Sequence, residues 1–222
     1  TFSPDGSQLA TGGTDGTVRL WDTTGKQIAA FDGHQGQIAS ITFNPNGSQL
    51  AIRGDNGISL WDITGKQLGI FDGHQEQIFS ITFSPDGSRL VTRGEDGIHL
   101  WDIAGKQLAA FEGYQGQIVS IAFSPDGSQL ATGGLDKTVR LWDTTGKQLA
   151  AFEGYQGSVF SIAFSPDGTQ LATSGMDGTV RLWLVGSMNE LLSRQCDWVR
   201  DYLTNNVDVD ESDRKLCDGI GQ

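Results

Sequence analysis

A chain of 222 residues, 37% apolar and 19% charged, has enough apolar side chains to bury a core, while 31 glycines against 5 prolines fit neither a collagen nor a proline-rich linker. The formal net charge of −12 argues against a phosphate-binding surface for nucleic acid, and two cysteines cannot make a disulfide-rich scaffold. No apolar run approaches the roughly 18 residues of a membrane span.

Periodicity organises everything up to Trp183. Pro4, Pro45, Pro85, Pro125 and Pro166 recur every 40 or 41 residues, and so do Trp21, Trp61, Trp101, Trp142 and Trp183. Two residue types keeping one period establish an internal repeat. The units are 1–32, 33–72, 73–112, 113–153 and 154–183. The first opens at Thr1-Phe2, equivalent to the end of the strand seen whole at Ile38–Phe43, so the chain is expected to be the C-terminal part of a longer protein.

Within a unit the apolar period falls to two, which predicts strands. In the third, Ile78–Phe83 is β-branched and apolar, and Ser84-Pro85-Asp86-Gly87 supplies a tight turn in which proline presets φ. Arg89–Arg93 is the next predicted strand, closed by Asp96-Gly97; Ile98–Asp102 is the third and Gln107–Phe111 the fourth. Four short antiparallel strands form a sheet with two apolar faces that it cannot cover alone, so the copies must stack. The fifth unit ends at Trp183 without a fourth strand.

After Trp183 the composition changes. Ser187 and Glu190 form a capping box, and Met188, Leu191, Leu192, Gln195 or Cys196, Val199, Tyr202 and Leu203 follow helical spacing. The tail, 184–222, is predicted to be helical, with a short second helix from Ser212. Its apolar face is expected to cover the incomplete last sheet; the alternative is a docking helix for a partner. Cys196 and Cys217 read as buried, reduced apolar side chains, a disulfide being the alternative.

Gly33-His34, Gly73-His74, the Trp-Asp pairs ending at Asp22, Asp62, Asp102 and Asp143, and the Asp-Gly turns between them resemble the WD40 repeats of β-propellers. The resemblance covers residues 1–183. It implies an all-β propeller of five repeats, in blades of four antiparallel strands with the first and last truncated, and a helical C-terminal tail. It also implies a hydrogen-bond chain joining a histidine, a turn aspartate, a strand threonine and the tryptophan indole. Carried over by position, His74, Thr92, Asp96 and Trp101 form a whole set. His34 and Trp61 stand with Ile52 and Asn56 in the threonine and aspartate places; Tyr114 and Tyr155 replace histidine beside Thr132, Asp136 and Trp142, and beside Thr173, Asp177 and Trp183. Thr11, Asp15 and Trp21 belong to the first unit. An Asp–His–Thr set also invites a catalytic reading, but its recurrence in eroded forms favours architecture. Three histidines and two remote cysteines predict no metal cluster, and no cofactor is expected.

Positions that differ between repeats are the candidates for recognition. One column is Ala39, Phe79, Val119 and Phe160; a second is Thr14, Asp55, Glu95, Leu135 and Met176; a third is Gly12, Arg53, Arg93, Gly133 and Ser174. In the family the first two resemble rim positions that face partners, accompanied by Gln37, Gln77, Gln117 and Ser158. Arg53, Asp55, Arg93 and Glu95 make a charged sector, the arginines neutralised by carboxylates two residues away. Val119, Leu135, Phe160 and Met176 make an apolar one, with Phe79 at its border. These residues are expected to bind a protein or peptide, without nucleic acid or membrane. The alternative is drift of duplicated repeats whose side chains fold into blade packing. The ending is similar to those of large bacterial WD40 proteins, which implies a cytoplasmic signalling protein with an NTPase or kinase module upstream, for which these repeats would be a sensor arm.

Overall fold

The computed structural model describes residues 1–186 apart from 56, 73, 75, 76 and 113–115, together with Cys196, Val199, Tyr202 and Cys217. Five antiparallel sheets follow one another along the chain. The first holds β1 (Gln8–Gly12), β2 (Thr17–Asp22) and β3 (Gln27–Asp32). Phe2 adds only an isolated bridge to Leu9. The second holds β4 (Ile38–Phe43), β5 (Gln49–Gly54), β6 (Gly57–Asp62) and β7 (Gln67–Phe71); the third β8 (Ile78–Phe83), β9 (Arg89–Gly94), β10 (Gly97–Asp102) and β11 (Gln107–Phe111). The fourth holds β12 (Ile118–Phe123), β13 (Gln129–Gly134), β14 (Val139–Asp143) and β15 (Gln148–Phe152), and the fifth β16 (Val159–Phe164), β17 (Gln170–Gly175) and β18 (Val180–Leu184). Each is a blade with strands in sequence order. Three blades have four strands and the two outer ones three, as the repeat pattern predicts.

The turns form for local reasons. After the first strand of a blade, an aspartate or asparagine turns back on the chain: Asp86 accepts the Ser84 hydroxyl at 2.5 Å and the Ser88 N–H at 3.0 Å. Gly87 beyond it takes a φ of 72°, open to glycine without the steric cost of a Cβ. After the third strand, Asp102 accepts the N–H groups of Ala104 and Lys106.

The cores lie between blades rather than within them. Ala51, Ile58, Leu60 and Phe71 of the second blade pack on Ile78, Ile81, Phe83, Leu90 and Trp101 of the third, and the same pairing recurs at the other three junctions. At each, a phenylalanine of one blade meets the tryptophan of the next: Phe31–Trp61, Phe71–Trp101, Phe111–Trp142 and Phe152–Trp183, with ring centroids 5.0–5.8 Å apart. The 40-residue tryptophan period is therefore the period of a blade junction, and one such aromatic pair adds about 0.5–1.5 kcal/mol beyond its area burial.

Beyond Val185, Cys196, Val199 and Tyr202 are helical. The other residues of the expected tail helices, from the capping box to Leu216, and the packing of their apolar face lie outside the described residues. Cys196 and Cys217 are both buried, but they are disulfide-bonded, with Cα atoms 5.4 Å apart. This corrects the expectation of reduced thiols: the fold brings together two residues 21 apart in sequence, which spacing alone does not reveal.

Candidate functional site

The third blade contains an unbroken side-chain chain. The Trp101 indole N–H donates to Thr92 Oγ1 at 2.8 Å, Thr92 Oγ1 meets His74 Nε2 at 2.6 Å, and His74 Nδ1 meets the Asp96 carboxylate. With the imidazole proton on Nδ1, the Thr92 hydroxyl donates to Nε2 and accepts from the indole, so every atom is satisfied. The Thr92 side chain is fully buried, and a buried polar network holds only when complete. The backbone gives way to admit the ring: a Cβ on Gly94 would stand 2.6 Å from His74 Nδ1.

The other blades alter this chain. Trp21, Trp142 and Trp183 donate to Thr11, Thr132 and Thr173 at 2.8–2.9 Å. In the fifth blade the Tyr155 hydroxyl occupies the place of the imidazole Nε2, donating to the Thr173 carbonyl at 2.9 Å and touching its Oγ1. Asp177 instead accepts the Gln156 N–H at 3.0 Å and faces Arg181 at 3.6 Å. In the second blade, where Ile52 has no hydroxyl, the Trp61 indole donates to Ser59 at 2.8 Å, and Ser59 donates to the Gly33 carbonyl at 3.3 Å. His34 lies against Gly54, where a Cβ would fall 1.9 Å from its ring. Tyr114 and Asn56 lie outside the described residues.

Ser59 belongs to a variable column that the sequence reading missed: Arg19, Ser59, His99, Arg140 and Arg181, each two residues before the tryptophan. The arginines pair with the turn aspartate four residues earlier, Arg19 with Asp15 at 2.7 Å and Arg140 with Asp136 at 2.5 Å. Guanidinium hydrogen bonding holds the Asp15 carboxyl down at about 2. The signal was available in the sequence, since the column changes chemical class while its neighbours do not.

The structure corrects the expectation that no metal-ligand group converges. Ligand atoms of His74, Asp96 and His99 lie within 4.8 Å of one another. The geometry still does not fit an ion: the two imidazoles are stacked, with centroids 4.2 Å apart and planes 11° from parallel, so their in-plane lone pairs cannot converge on one centre. Both His74 nitrogens are also engaged. Nor is the Thr92 hydroxyl placed for catalysis, being buried and bonded to the indole.

Of the surface columns, Leu135, Phe160 and Met176 are exposed to 46, 49 and 70%, and Phe79 and Val119 are half-buried. Backbone bonds bring two columns together: the N–H groups of Glu95, Leu135 and Met176 donate to the carbonyls of Gln77, Gln117 and Ser158 at 2.8–3.0 Å. The third column behaves differently. Arg53 and Arg93 are half-buried and reach into the next blade, their Nη1 groups donating to the carbonyls of Ile78 and Ile118 at 2.9 and 2.7 Å. The Arg93 guanidinium lies 4.9 Å above the Phe79 ring. Carbonyls across the junction therefore bind both guanidinium groups; Asp55 also attracts the Arg53 charge, as the sequence had suggested, while Arg93 is held by the Ile118 carbonyl and the Phe79 face. Burial pulls both guanidinium pKa values below the usual range.

The comparisons with known proteins agree with this architecture. The family model "WD domain, G-beta repeat" matches residues 1–22, 25–62, 65–102, 105–143 and 146–183; each match after the first begins with the outermost strand of one blade and continues through three strands of the next. Protein hir1 of Schizosaccharomyces pombe is 38% identical over 68 residues, 24% of this chain and 7% of its own length. Pre-mRNA-processing factor 19 homolog 2 of Arabidopsis thaliana is 40% identical over 58 residues, 26% of this chain and 11% of its own. The chain thus spans only a small part of these relatives. Among solved structures, the computationally designed Ika8 protein superposes with a TM-score of 0.68 at 29% identity, over 81% of this chain and 56% of that one. Five matched segments, five stacked sheets and a tryptophan at each junction make this chain a member of the WD40 family of WD-domain, G-beta repeats.

Proposed function

We propose that the chain is a non-enzymatic platform that takes a protein or peptide partner on its variable rim, with Leu135, Phe160 and Met176 as the apolar anchors. The observation that carries this reading is their exposure, 46, 49 and 70%, with Leu135 and Met176 standing where other repeats have Thr14, Asp55 and Glu95. Large apolar side chains collected on an exposed surface mark interaction sites, and methionine and aromatic residues are favoured at interface centres. Each is worth about 1.5–3 kcal/mol if fully buried by a partner, before ordering costs. Glu95, Gln77 and Gln117 supply polar neighbours; Arg53 and Arg93 brace the blades beneath. The test compares partners recovered by the wild-type chain and by a Phe160→Asp, Leu135→Asp double variant of matched thermal stability. Loss of specific partners from the variant supports the reading, and equal recovery refutes it.

A further inference from the structure

In the third and fifth blades the residue two before the tryptophan covers the ring that follows the blade-joining glycine. In the third blade His99 stacks on His74 at 4.2 Å. In the fifth the Arg181 guanidinium lies 4.1 Å over Tyr155, and a Cβ on Gly154 would stand 2.8 Å from its Nη1. The second blade has Ser59 here, two heavy atoms against an arginine's seven, and its hydroxyl is turned to Trp61 and Gly33. A groove of about 500 Å³ opens at this place, its lining including Asp32, Gly33, His34, Ser59, Trp61 and Ile70. Gly33 and His34 are the equivalents of Gly154 and Tyr155, so the groove occupies the space that Arg181 fills in its own blade.

We infer that this groove receives an arginine side chain from a partner polypeptide. One internal copy shows the fit: at the equivalent place in the three-stranded fifth blade, a guanidinium already lies over an aromatic ring. Arginine's methylenes suit the apolar wall of Ile58, Trp61 and Ile70, and its planar cation suits an aromatic face. Asp32 supplies a carboxylate at the groove, and a chain of net charge −12 draws cationic segments towards it. The cross-strand neighbours agree. Arg19, Arg140 and His99 each face an alanine, Ala30, Ala151 and Ala110, whereas Ser59 faces Ile70, which is 54% exposed and widens the apolar wall for an incoming stem. This site lies in another part of the ring from Leu135, Phe160 and Met176 and stands independently of that reading.

The experiment titrates the full chain with N-acetyl-arginine amide, following the Trp61 indole N–H by NMR, with the lysine, citrulline and norleucine analogues as controls and the other indoles as internal references. Arginine is expected to shift the Trp61 resonance saturably, with a Kd on the order of millimolar for a single side chain, and citrulline, its neutral isostere, to bind at least about tenfold more weakly. Ser59→Arg combined with Ile70→Ala installs the pairing of the sister blades, fills the groove from within and removes the response. Asp32→Asn, a change at an exposed position, is expected to weaken arginine binding severalfold and keeps the inference testable if the double variant does not fold. An unmoved Trp61 resonance at tens of millimolar arginine, equal binding of citrulline or norleucine, or an undiminished response in the filled variant overturns it.

Discussion

The Trp61 indole donates its N–H to Ser59, two residues back on its own strand, at 2.8 Å, whereas every other repeat tryptophan reaches across to a threonine on the preceding strand. Ile52, the residue in the threonine place, is paired with Ser59 in the ladder, so the hydroxyl has been moved one strand over while the indole keeps its partner. Ser59→Ala would leave the Trp61 N–H without that acceptor and the Gly33 carbonyl without that donor, at a cost of about 1–3 kcal/mol. Adding Ile52→Thr restores a hydroxyl in the sister-blade position and recovers part of that loss, less about 0.5–1.5 kcal/mol for the apolar volume removed. Urea unfolding of the two single variants and the double gives the coupling; additive losses would show that the two positions do not share the indole.

Lys137 is the one described non-glycine residue with a positive φ, 65°. It stands where the other repeats have Gly16, Gly57, Gly97 and Gly178, with φ values of 76–129°. A side chain in this conformation costs about 1–2 kcal/mol, of which glycine's extra freedom in the unfolded chain returns up to about 1 kcal/mol. Lys137→Gly is therefore expected to raise stability by a few tenths to about 1 kcal/mol, read as a higher thermal midpoint. A lower midpoint would show that the lysine contributes something the backbone conformation does not.

The repeat, its strands and the blade count were legible in the sequence because they rest on local rules: alternation, Pro-Asp-Gly turns and a tryptophan at each junction. The hydrogen-bond set of the third blade could be written down for the same reason, since the repeat places its members at fixed offsets. What could not be read depended on distances between elements. The variability of the Ser59 column was visible in the sequence, but the bond of Ser59 to Trp61 follows from the register of β5 on β6, which sets Ser59 opposite Ile52. The bonds of Arg53 and Arg93 to the Ile78 and Ile118 carbonyls were not foreseen, because those carbonyls, 25 residues on, are near only across a blade junction. The reach of Tyr155 to Thr173 depends on how closely Gly175 lets the phenol approach, a Cβ there falling 2.5 Å from the ring.

Acid should destabilise the chain in two separable steps. The Asp5, Asp86 and Asp167 carboxyls are held at about 2, first by the hydroxyls of Ser3, Ser84 and Ser165 and then by further turn hydrogen bonds. Since these folded values lie below the ordinary 3.8, their contribution is complete above that pH and is lost as pH falls through about 2. His99 is a base whose pKa is lowered from 6.5, chiefly by burial and secondarily by His74. The fold prefers its neutral form, so its contribution is lost as pH falls below 6.5. Thermal midpoints measured from pH 8 to pH 2 should fall first below 6.5 and again below 4. His99→Gln should remove the upper step and leave the lower; an unchanged upper step would assign it to another group.

Leu182 and Leu141 occupy equivalent places on the last strands of the fifth blade and the third strand of the fourth, yet Leu182 is 68% exposed and Leu141 4%. Val180, at 73%, repeats the contrast with Val139, at 0%. The difference is one of neighbours: Leu141 packs on the fifth blade with Val159, Ile162 and Leu171, whereas Leu182 lies on a sheet face open to solvent. A lysine at position 182 should leave the thermal midpoint within the range of an ordinary surface change, about 0.5 kcal/mol, and raise the protein concentration at which association begins, because edge strands with exposed apolar faces are association sites. The same change at position 141 puts a charge into a packed junction and should unfold the blade pair, since an unpaired buried cation has no compensating partner there. Circular dichroism melts and light scattering across a concentration series read the two outcomes. Equal loss of stability from Leu182→Lys and Leu141→Lys would mean that the outer face of the fifth blade is covered in solution.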